Sequence, residues 1–179
     1  GHWAENGGRT VVFTHVYRLE RTQHLPMTLD ECWSFFSSPL NLRTITPPWL
    51  DFQVDSGDWE RMYPGMILQY RVRPLLGIPM RWVTEITHVD PKRMFVDEQR
   101  FGPYRMWHHE HHFRSTEVGV EMTDLVHYAI GYGPLDPLIH HWMVRHRLEE
   151  IFHYRFETLA KLFGTSQSAA LEADIPRSA

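Results

Sequence analysis

The chain has 179 residues, a length typical of one domain that buries its own core. Its 18 Lys and Arg residues against 22 Asp and Glu residues give a formal charge of -4, which argues against a nucleic-acid partner. A single cysteine, Cys32, excludes an internal disulfide, and no apolar run is long enough for an integral membrane segment. We therefore expect a cytoplasmic protein that is a monomer or homodimer.

The two ends of the chain differ in composition from the rest. Residues 1–11 are rich in glycine and lack periodicity, and residues 165–179 are small and polar. Both stretches are typical of loose segments, a leader and a disordered tail. One domain is therefore predicted over residues 12–164.

The first part of this domain combines one strand with two short helices. Alternating apolar and polar residues predict a strand over Val16–Leu25. Thr28 and Glu31 have the spacing of a capping box and predict the start of a helix that ends before Pro39. A second short helix is expected over Pro39–Ile45, because a pair of prolines follows it.

Beyond these helices the apolar pattern changes to a period of two, which is typical of strands. Short turns separate the strands, so an antiparallel meander is expected. The predicted strands are Leu50–Asp55, Met66–Arg73, Met80–Val89, Met94–Phe101, Tyr104–Arg114 and Val118–Ile130.

The last predicted element is one long amphipathic helix over Leu138–Phe163, a stretch without Gly or Pro, with Gly164 at its end. Its apolar stripe includes Leu148, Phe152 and Arg155. The expected fold class is α+β: a curved antiparallel sheet of about six to seven strands around this helix. One helix cannot fill the concave side of such a sheet, so a cavity is predicted.

Several strings of residues carry a resemblance to a known superfamily. They are Phe95-Val96-Asp97-Glu98-Gln99, Gly102-Pro103-Tyr104, Trp107 with His109, His111 and Phe113, Asp124 with Tyr128, and Phe152-His153-Tyr154-Arg155. In these strings the chain resembles the START-like, or polyketide cyclase-like SRPBCC, superfamily, and within it a bacterial ligand-binding subgroup.

The resemblance covers Val16 to Phe163 and implies a helix-grip fold. It also implies a hydrophobic or aromatic small-molecule ligand, lipid- or polyketide-like, held in an internal cavity. The implied function is that of a carrier, sensor or sequestering protein. The alternative is an enzyme similar to a polyketide cyclase, aromatase or dehydratase.

The densest group of titratable residues is the string WHHEHHF over residues 107–113. On a strand, its odd-numbered positions share one face, and Trp107 and Phe113 mark that face as the interior. His109 and His111 are therefore expected to face the cavity. The even-numbered positions, which hold two more histidines and a glutamate, are expected to face solvent.

Three interpretations of His109 and His111 stay open. They form a hydrogen-bonded pair in the wall of the sheet that also orients a ligand, or they act with Asp97 as acid–base groups. As a weaker alternative, they bind a metal ion together with Asp97, Asp124 or His127. We predict no cofactor.

Arg155 is a charged side chain on an apolar stripe and needs an acceptor. We predict that it pairs with Asp124 or Asp97. Asp97 and Gln99 are expected to share the inner face of their strand with Phe95 and Phe101.

The predicted ligand-binding residues combine these polar groups with aromatic side chains. They are Tyr70, Trp82, Phe95, Asp97, Gln99, Trp107, His109, His111, Asp124, Tyr128, Phe152 and Arg155. Trp33, Phe36 and Trp142 are further aromatic candidates for the cavity lining. Cys32 lies among aromatic residues of a helix and is expected to be a structural thiol.

Overall fold

The structure is a computed structural model that describes residues 15–56, 61–75 and 77–164. The predicted leader, the predicted tail and the turn residues Gly57 and Asp58 lie outside the described residues.

Seven strands form one antiparallel sheet in the order β1-β7-β6-β5-β4-β3-β2. The strands are β1 (Tyr17–Leu25), β2 (Gln53–Ser56), β3 (Met66–Leu75), β4 (Ile78–Asp90), β5 (Met94–Phe101), β6 (Met106–Thr116) and β7 (Gly119–Ala129). Strands β2 to β7 pair with their neighbours in sequence, which confirms the predicted meander. Strand β1 pairs with β7, so the first strand lies beside the last.

Two short helices connect β1 to β2: α1 (Leu29–Phe36) and α2 (Pro39–Leu42). The predicted capping box is confirmed, because Thr28 Oγ1 accepts the backbone N–H of Glu31 and the Glu31 carboxylate accepts that of Thr28. The prediction that α2 reaches Ile45 is wrong, and so is the predicted start of the next strand at Leu50. The chain forms a 3₁₀ turn at Pro48–Leu50 before β2 begins.

The C-terminal helical segment begins earlier than predicted and contains an irregularity. It comprises α3 (Asp136–Ile139), a π-helical turn at His140–Val144 and α4 (Arg145–Phe163). The predicted apolar stripe is confirmed, since Leu148, Phe152, Arg155 and Leu159 are buried. Gly164 follows α4 with a φ of 90°, a left-handed value that suits glycine at a helix end.

A bulge in β5 changes which side chains face the interior. Val83 lies opposite Phe101 while Thr84 lies opposite Gln99, so Arg100 is an extra residue without a partner in this register. The prediction that Phe101 shares the inner face with Asp97 is therefore wrong. Phe101 is 65% exposed.

The buried core lies between the inner face of the sheet and the helices. One group of buried side chains lies around α1 and the β3 side of the sheet, and a second lies around α4 and β7. Within the described ranges, no helix has both the length and the apolar character needed to cross a bilayer.

Candidate functional site

A cavity of about 170 Å³ lies within the fold, lined by residues of α1, α2, strands β3 to β6 and α4. An apolar cavity of about 150 Å³ is large enough for one benzene ring, whereas pockets for drug-sized ligands measure about 300 Å³ or more. The cavity is therefore suited to a small ring system.

Nine of the twelve predicted ligand-binding residues line this cavity. They are Tyr70, Trp82, Phe95, Asp97, Trp107, His109, His111, Phe152 and Arg155. The inward-facing pattern predicted for β6 accounts for three of them, because Trp107, His109 and His111 are all buried.

The other three predicted residues do not line the cavity. The Gln99 side chain bonds to the backbone N–H and C=O of Tyr104 and so braces a turn. The Tyr128 hydroxyl lies 2.6 Å from Nε2 of His140 at the start of the π-helical turn. Asp124 lies behind Arg155 and the histidines, in contact with them but outside the lining.

Sequence reasoning missed the part of the lining that comes from the helices and the following loop. These residues include Phe35, Leu42, Ile45, Phe52 and Met62. The missed signal is that a pair of short apolar helices between two strands must cover one end of the sheet. Two aromatic candidates, Trp142 and Trp33, do not line the cavity. Trp142 is 73% exposed, and Trp33 packs edge-on against Phe95 and Phe113.

The polar side of the cavity is a cluster of five side chains from four elements, which we call the polar cluster: Asp97, His109, His111, Asp124 and Arg155. The strand register brings them together. Asp97 lies opposite His109 across β5 and β6, and His111 lies opposite Asp124 across β6 and β7. Arg155 reaches this face from α4.

Asp124 is the common acceptor of the polar cluster. Its Oδ1 accepts a hydrogen bond from Nη2 of Arg155 at 3.1 Å, which confirms the predicted pairing of Arg155. The same oxygen lies 3.0 Å from Nε2 of His109. Nδ1 of His111 lies 2.9 Å from it, outside good hydrogen-bond alignment.

Asp97 contacts the opposite nitrogen of each histidine ring. Its Oδ2 lies 2.8 Å from Nε2 of His111 and 3.5 Å from Nδ1 of His109. Both imidazole rings therefore lie between the two carboxylates, with their ring centroids 3.8 Å apart.

The surroundings shift the pKa values of the two histidines in opposite directions. Burial lowers the pKa of His111, but its contacts with Asp124 and Asp97 outweigh burial and raise that pKa above the ordinary value. Burial and the neighbouring His111 lower the pKa of His109. Of the two rings, His111 is thus the one that takes up a proton more readily.

The carboxylates of the polar cluster stay ionised. Burial alone raises the pKa of Asp124, but Arg155 and the two histidines hold it well below its usual range. The same histidines lower the pKa of Asp97 against the effect of burial. The guanidinium of Arg155 pairs with the carboxylate of Asp124, which reduces the cost of burying the polar cluster.

Two nitrogens of the polar cluster are not satisfied by the protein. Nε of Arg155 and Nδ1 of His111 are buried, and neither has a hydrogen-bond partner among the residues that the structure describes. A buried donor without an acceptor is costly, so an acceptor on a bound molecule or an ordered water is favoured there.

The even-numbered positions of β6 lie on the outer face of the sheet, as predicted. His108 pairs with Glu98 at 2.6 Å and His112 with Glu110 at 2.8 Å, and these side chains are partly exposed. His127, the remaining candidate metal ligand, lies opposite His108 on this outer face. It therefore cannot join His109 and His111.

Cys32 is buried, and burial raises the pKa of its thiol to about 12. Thiolate is the reactive form, so we expect the native protein not to react with Ellman's reagent at pH 8. After denaturation in guanidinium chloride, the same sample should release one thiol per chain, because Cys32 is the only cysteine. Fast labelling of the native protein would contradict a structural role.

No protein-family model and no curated protein sequence matches this chain. Solved structures do match it in fold. The Zhui aromatase/cyclase from Streptomyces sp. R1128 superposes with a TM-score of 0.64 at 15% sequence identity, over 83% of this chain and 93% of that chain.

Two further structures show the same similarity. Protein Ms6760 from Mycobacterium smegmatis has a TM-score of 0.60 at 18% identity, over 81% of this chain and 89% of its own. TTHA0849 from Thermus thermophilus has a TM-score of 0.57 at 15% identity, over 90% of this chain and 100% of its own. With its antiparallel sheet and long C-terminal helix, the chain therefore has the predicted helix-grip fold, which it shares with these structures.

Proposed function

We propose that the protein binds one small hydrophobic or aromatic molecule in its internal cavity and acts in the cytoplasm as a carrier, sensor or sequestering protein. The observation that carries this proposal is the cavity itself, which has aromatic walls and a polar cluster on one side. Small-molecule sites commonly combine a mainly apolar wall with a few polar groups that fix orientation.

The aromatic wall favours a flat ligand. Trp82 and Trp107 meet edge to face with ring centroids 5.3 Å apart, and Tyr104 packs against both. A flat ring can pack against such side chains and gain dispersion energy as well as apolar burial. The cavity volume of about 170 Å³ supports a ligand that has one ring or two fused rings.

The polar cluster favours a ligand with an acceptor at one end. Arg155 lines the cavity and has an unsatisfied Nε donor, and His111, whose pKa is raised by Asp124 and Asp97 against the effect of burial, lines the same cavity. A carbonyl, phenol or carboxylate oxygen is the group that these donors recognise. A protein of the same fold is named an aromatase/cyclase, which supports an aromatic ligand.

Catalysis, by an enzyme similar to a polyketide cyclase or dehydratase, stays the alternative prediction. Its specific support is that His109, His111 and Asp97 line the cavity, where they can reach a bound molecule. Conversion of a bound compound, seen as a change in its mass, would distinguish an enzyme from a binding protein.

A cavity-filling variant tests the binding proposal with 2-naphthol as the probe. Val72 lines the cavity and is 2% exposed, so Val72→Phe places a ring in the space that the ligand needs. We expect 2-naphthol to quench tryptophan fluorescence saturably in the wild type. In Val72→Phe, its affinity should fall at least tenfold with little change in the melting temperature.

The matched control is Val126→Phe. Val126 is fully buried but does not line the cavity, so the added ring has no space and should cost about 1–3 kcal/mol of stability. Equal destabilisation of both variants, with unchanged 2-naphthol affinity in Val72→Phe, would contradict binding in this cavity. Absence of saturable binding to the wild type would contradict a small aromatic ligand.

A further inference from the structure

We propose that Asp97, His109 and His111 form a binding site for one divalent transition-metal ion, with zinc as the representative ion and an open coordination position toward the cavity. This goes beyond the binding of an organic molecule and replaces our expectation that no metal is bound. Two imidazoles and one carboxylate are a ligand set that zinc and related ions accept.

The donor atoms already lie close together. One donor atom from each of Asp97, His109 and His111 can be chosen so that all lie within 4.8 Å of one another. Bonds of about 2.0–2.2 Å in a tetrahedral zinc site place neighbouring ligand atoms about 3.3–3.5 Å apart.

The distances from Asp97 to the two histidine nitrogens are close to this spacing between neighbouring zinc ligands. Its Oδ2 lies 3.5 Å from Nδ1 of His109 and 2.8 Å from Nε2 of His111. These two distances lie on either side of the spacing in a zinc site, and the two histidine nitrogens lie within 4.8 Å of each other, so the side chains must adjust to bring all three ligand atoms to ordinary bond lengths.

The contacts on the other side of each ring are those of a metal-binding histidine. A histidine that binds a metal through one nitrogen commonly presents its second nitrogen to a carboxylate, which fixes the orientation of the ring. Asp124 has this position for His109, whose Nε2 lies 3.0 Å from Oδ1, and the same oxygen lies 2.9 Å from Nδ1 of His111 but outside good hydrogen-bond alignment. Arg155 in turn holds Asp124 in place.

The position of the site leaves room for a fourth ligand. All three proposed ligands line the cavity, so water or an oxygen of a bound molecule can complete the coordination. Three protein ligands with one open position are typical of zinc sites that bind a further molecule. With Arg155 counted, the carboxylates of Asp97 and Asp124 leave one negative charge, which offsets part of the charge of a divalent ion.

Zinc titration of untagged protein tests this inference. The protein is stripped with EDTA, dialysed and titrated with zinc chloride by calorimetry. We expect one zinc ion per chain, a loss of affinity of at least 100-fold in Asp97→Asn and His109→Gln, and a loss of about 10–100-fold in Asp124→Asn. Circular dichroism confirms that each variant is folded.

The outer face of β6 provides the matched control, because it also holds two histidines and a carboxylate. The double variant His108→Gln/His112→Gln changes only partly exposed side chains and is expected to fold and to keep the zinc ion. Loss of zinc in this variant would overturn the proposal in favour of adventitious binding at the surface. Absence of stoichiometric zinc binding by the wild type would also overturn it.

Cobalt gives a second readout that does not depend on the inner variants. Four- or five-coordinate Co²⁺ in the His108→Gln/His112→Gln background should show intense visible absorption, whereas the weak spectrum of hexa-aqua Co²⁺ would contradict an internal site. Zinc and 2-naphthol are titrated separately. Failure of the metal site therefore leaves the binding proposal standing, and failure of 2-naphthol binding leaves the metal site standing.

Discussion

Arg155→Met is expected to lower the free energy of unfolding by about 3–5 kcal/mol in metal-free protein, because it removes the cation from a buried ion pair. Arg155 and Asp124 are both buried and joined at 3.1 Å, so the substitution leaves a carboxylate without its main partner. It also removes the guanidinium that lies 5.3 Å from the ring centre of Phe36. Urea denaturation at neutral pH measures the effect.

Two control variants show whether the loss of stability comes from breaking the buried Arg155–Asp124 pair or from removing any arginine of α4. Arg147→Met lies on the same helix, but the Arg147 side chain is 43% exposed and pairs with the partly exposed Glu150, so we expect a loss below about 1 kcal/mol. The double variant Asp124→Asn/Arg155→Met should recover part of the stability lost in Arg155→Met, because no unpaired charge remains.

The single variant Arg155→Met also distinguishes two roles for Arg155. A clamp between α4 and the sheet predicts lost stability, whereas a pure ligand contact predicts weaker 2-naphthol binding in a protein as stable as the wild type. A denaturation midpoint equal to that of the wild type would therefore contradict the clamp.

Phe152→Ala is expected to cost about 3–5 kcal/mol of stability, the usual range for removing a buried phenylalanine ring. Phe152 is 6% exposed, packs with Leu148 and Trp107, and meets His109 edge to face at 5.8 Å. The substitution also enlarges the cavity beside the polar cluster. Urea denaturation gives the stability, and 2-naphthol titration gives the effect on binding.

Phe156→Ala is the matched control, with the same change one helical turn further along α4. Phe156 is only partly buried and does not line the cavity, so we expect a loss of about 1 kcal/mol and unchanged 2-naphthol affinity. Equal losses of stability in Phe152→Ala and Phe156→Ala would contradict a larger contribution of Phe152 to the core.

The polar cluster has a structural role that is independent of any ligand. It connects α4 to three neighbouring strands through Arg155, Asp124, the two histidines and Asp97. Helix α4 forms one wall of the cavity, so the same contacts fix the position of this wall relative to the sheet. Positioned polar groups that also support the fold are typical of preorganised binding sites.

Local sequence determined the elements whose causes are local. The capping box at Thr28 and Glu31 sets the start of α1, and Gly164 ends α4 in a left-handed conformation. Alternation along β6 identified the inward-facing histidines, and the apolar stripe of α4 identified Arg155 as buried. These features depend on neighbouring residues in the chain, so a single sequence contains them.

Features that depend on strand register were decided only by the tertiary structure. The bulge at Arg100 turned Phe101 outward, and a period-two pattern cannot show where an extra residue enters a strand. The pairing of β5, β6 and β7 selected Asp124 over Asp97 as the partner of Arg155 and placed His127 on the outer face. The sequence determined which side chains of β6 and α4 point inward. Which nitrogens and oxygens meet depends on long-range register, because strands distant in the chain must align before those atoms come into contact.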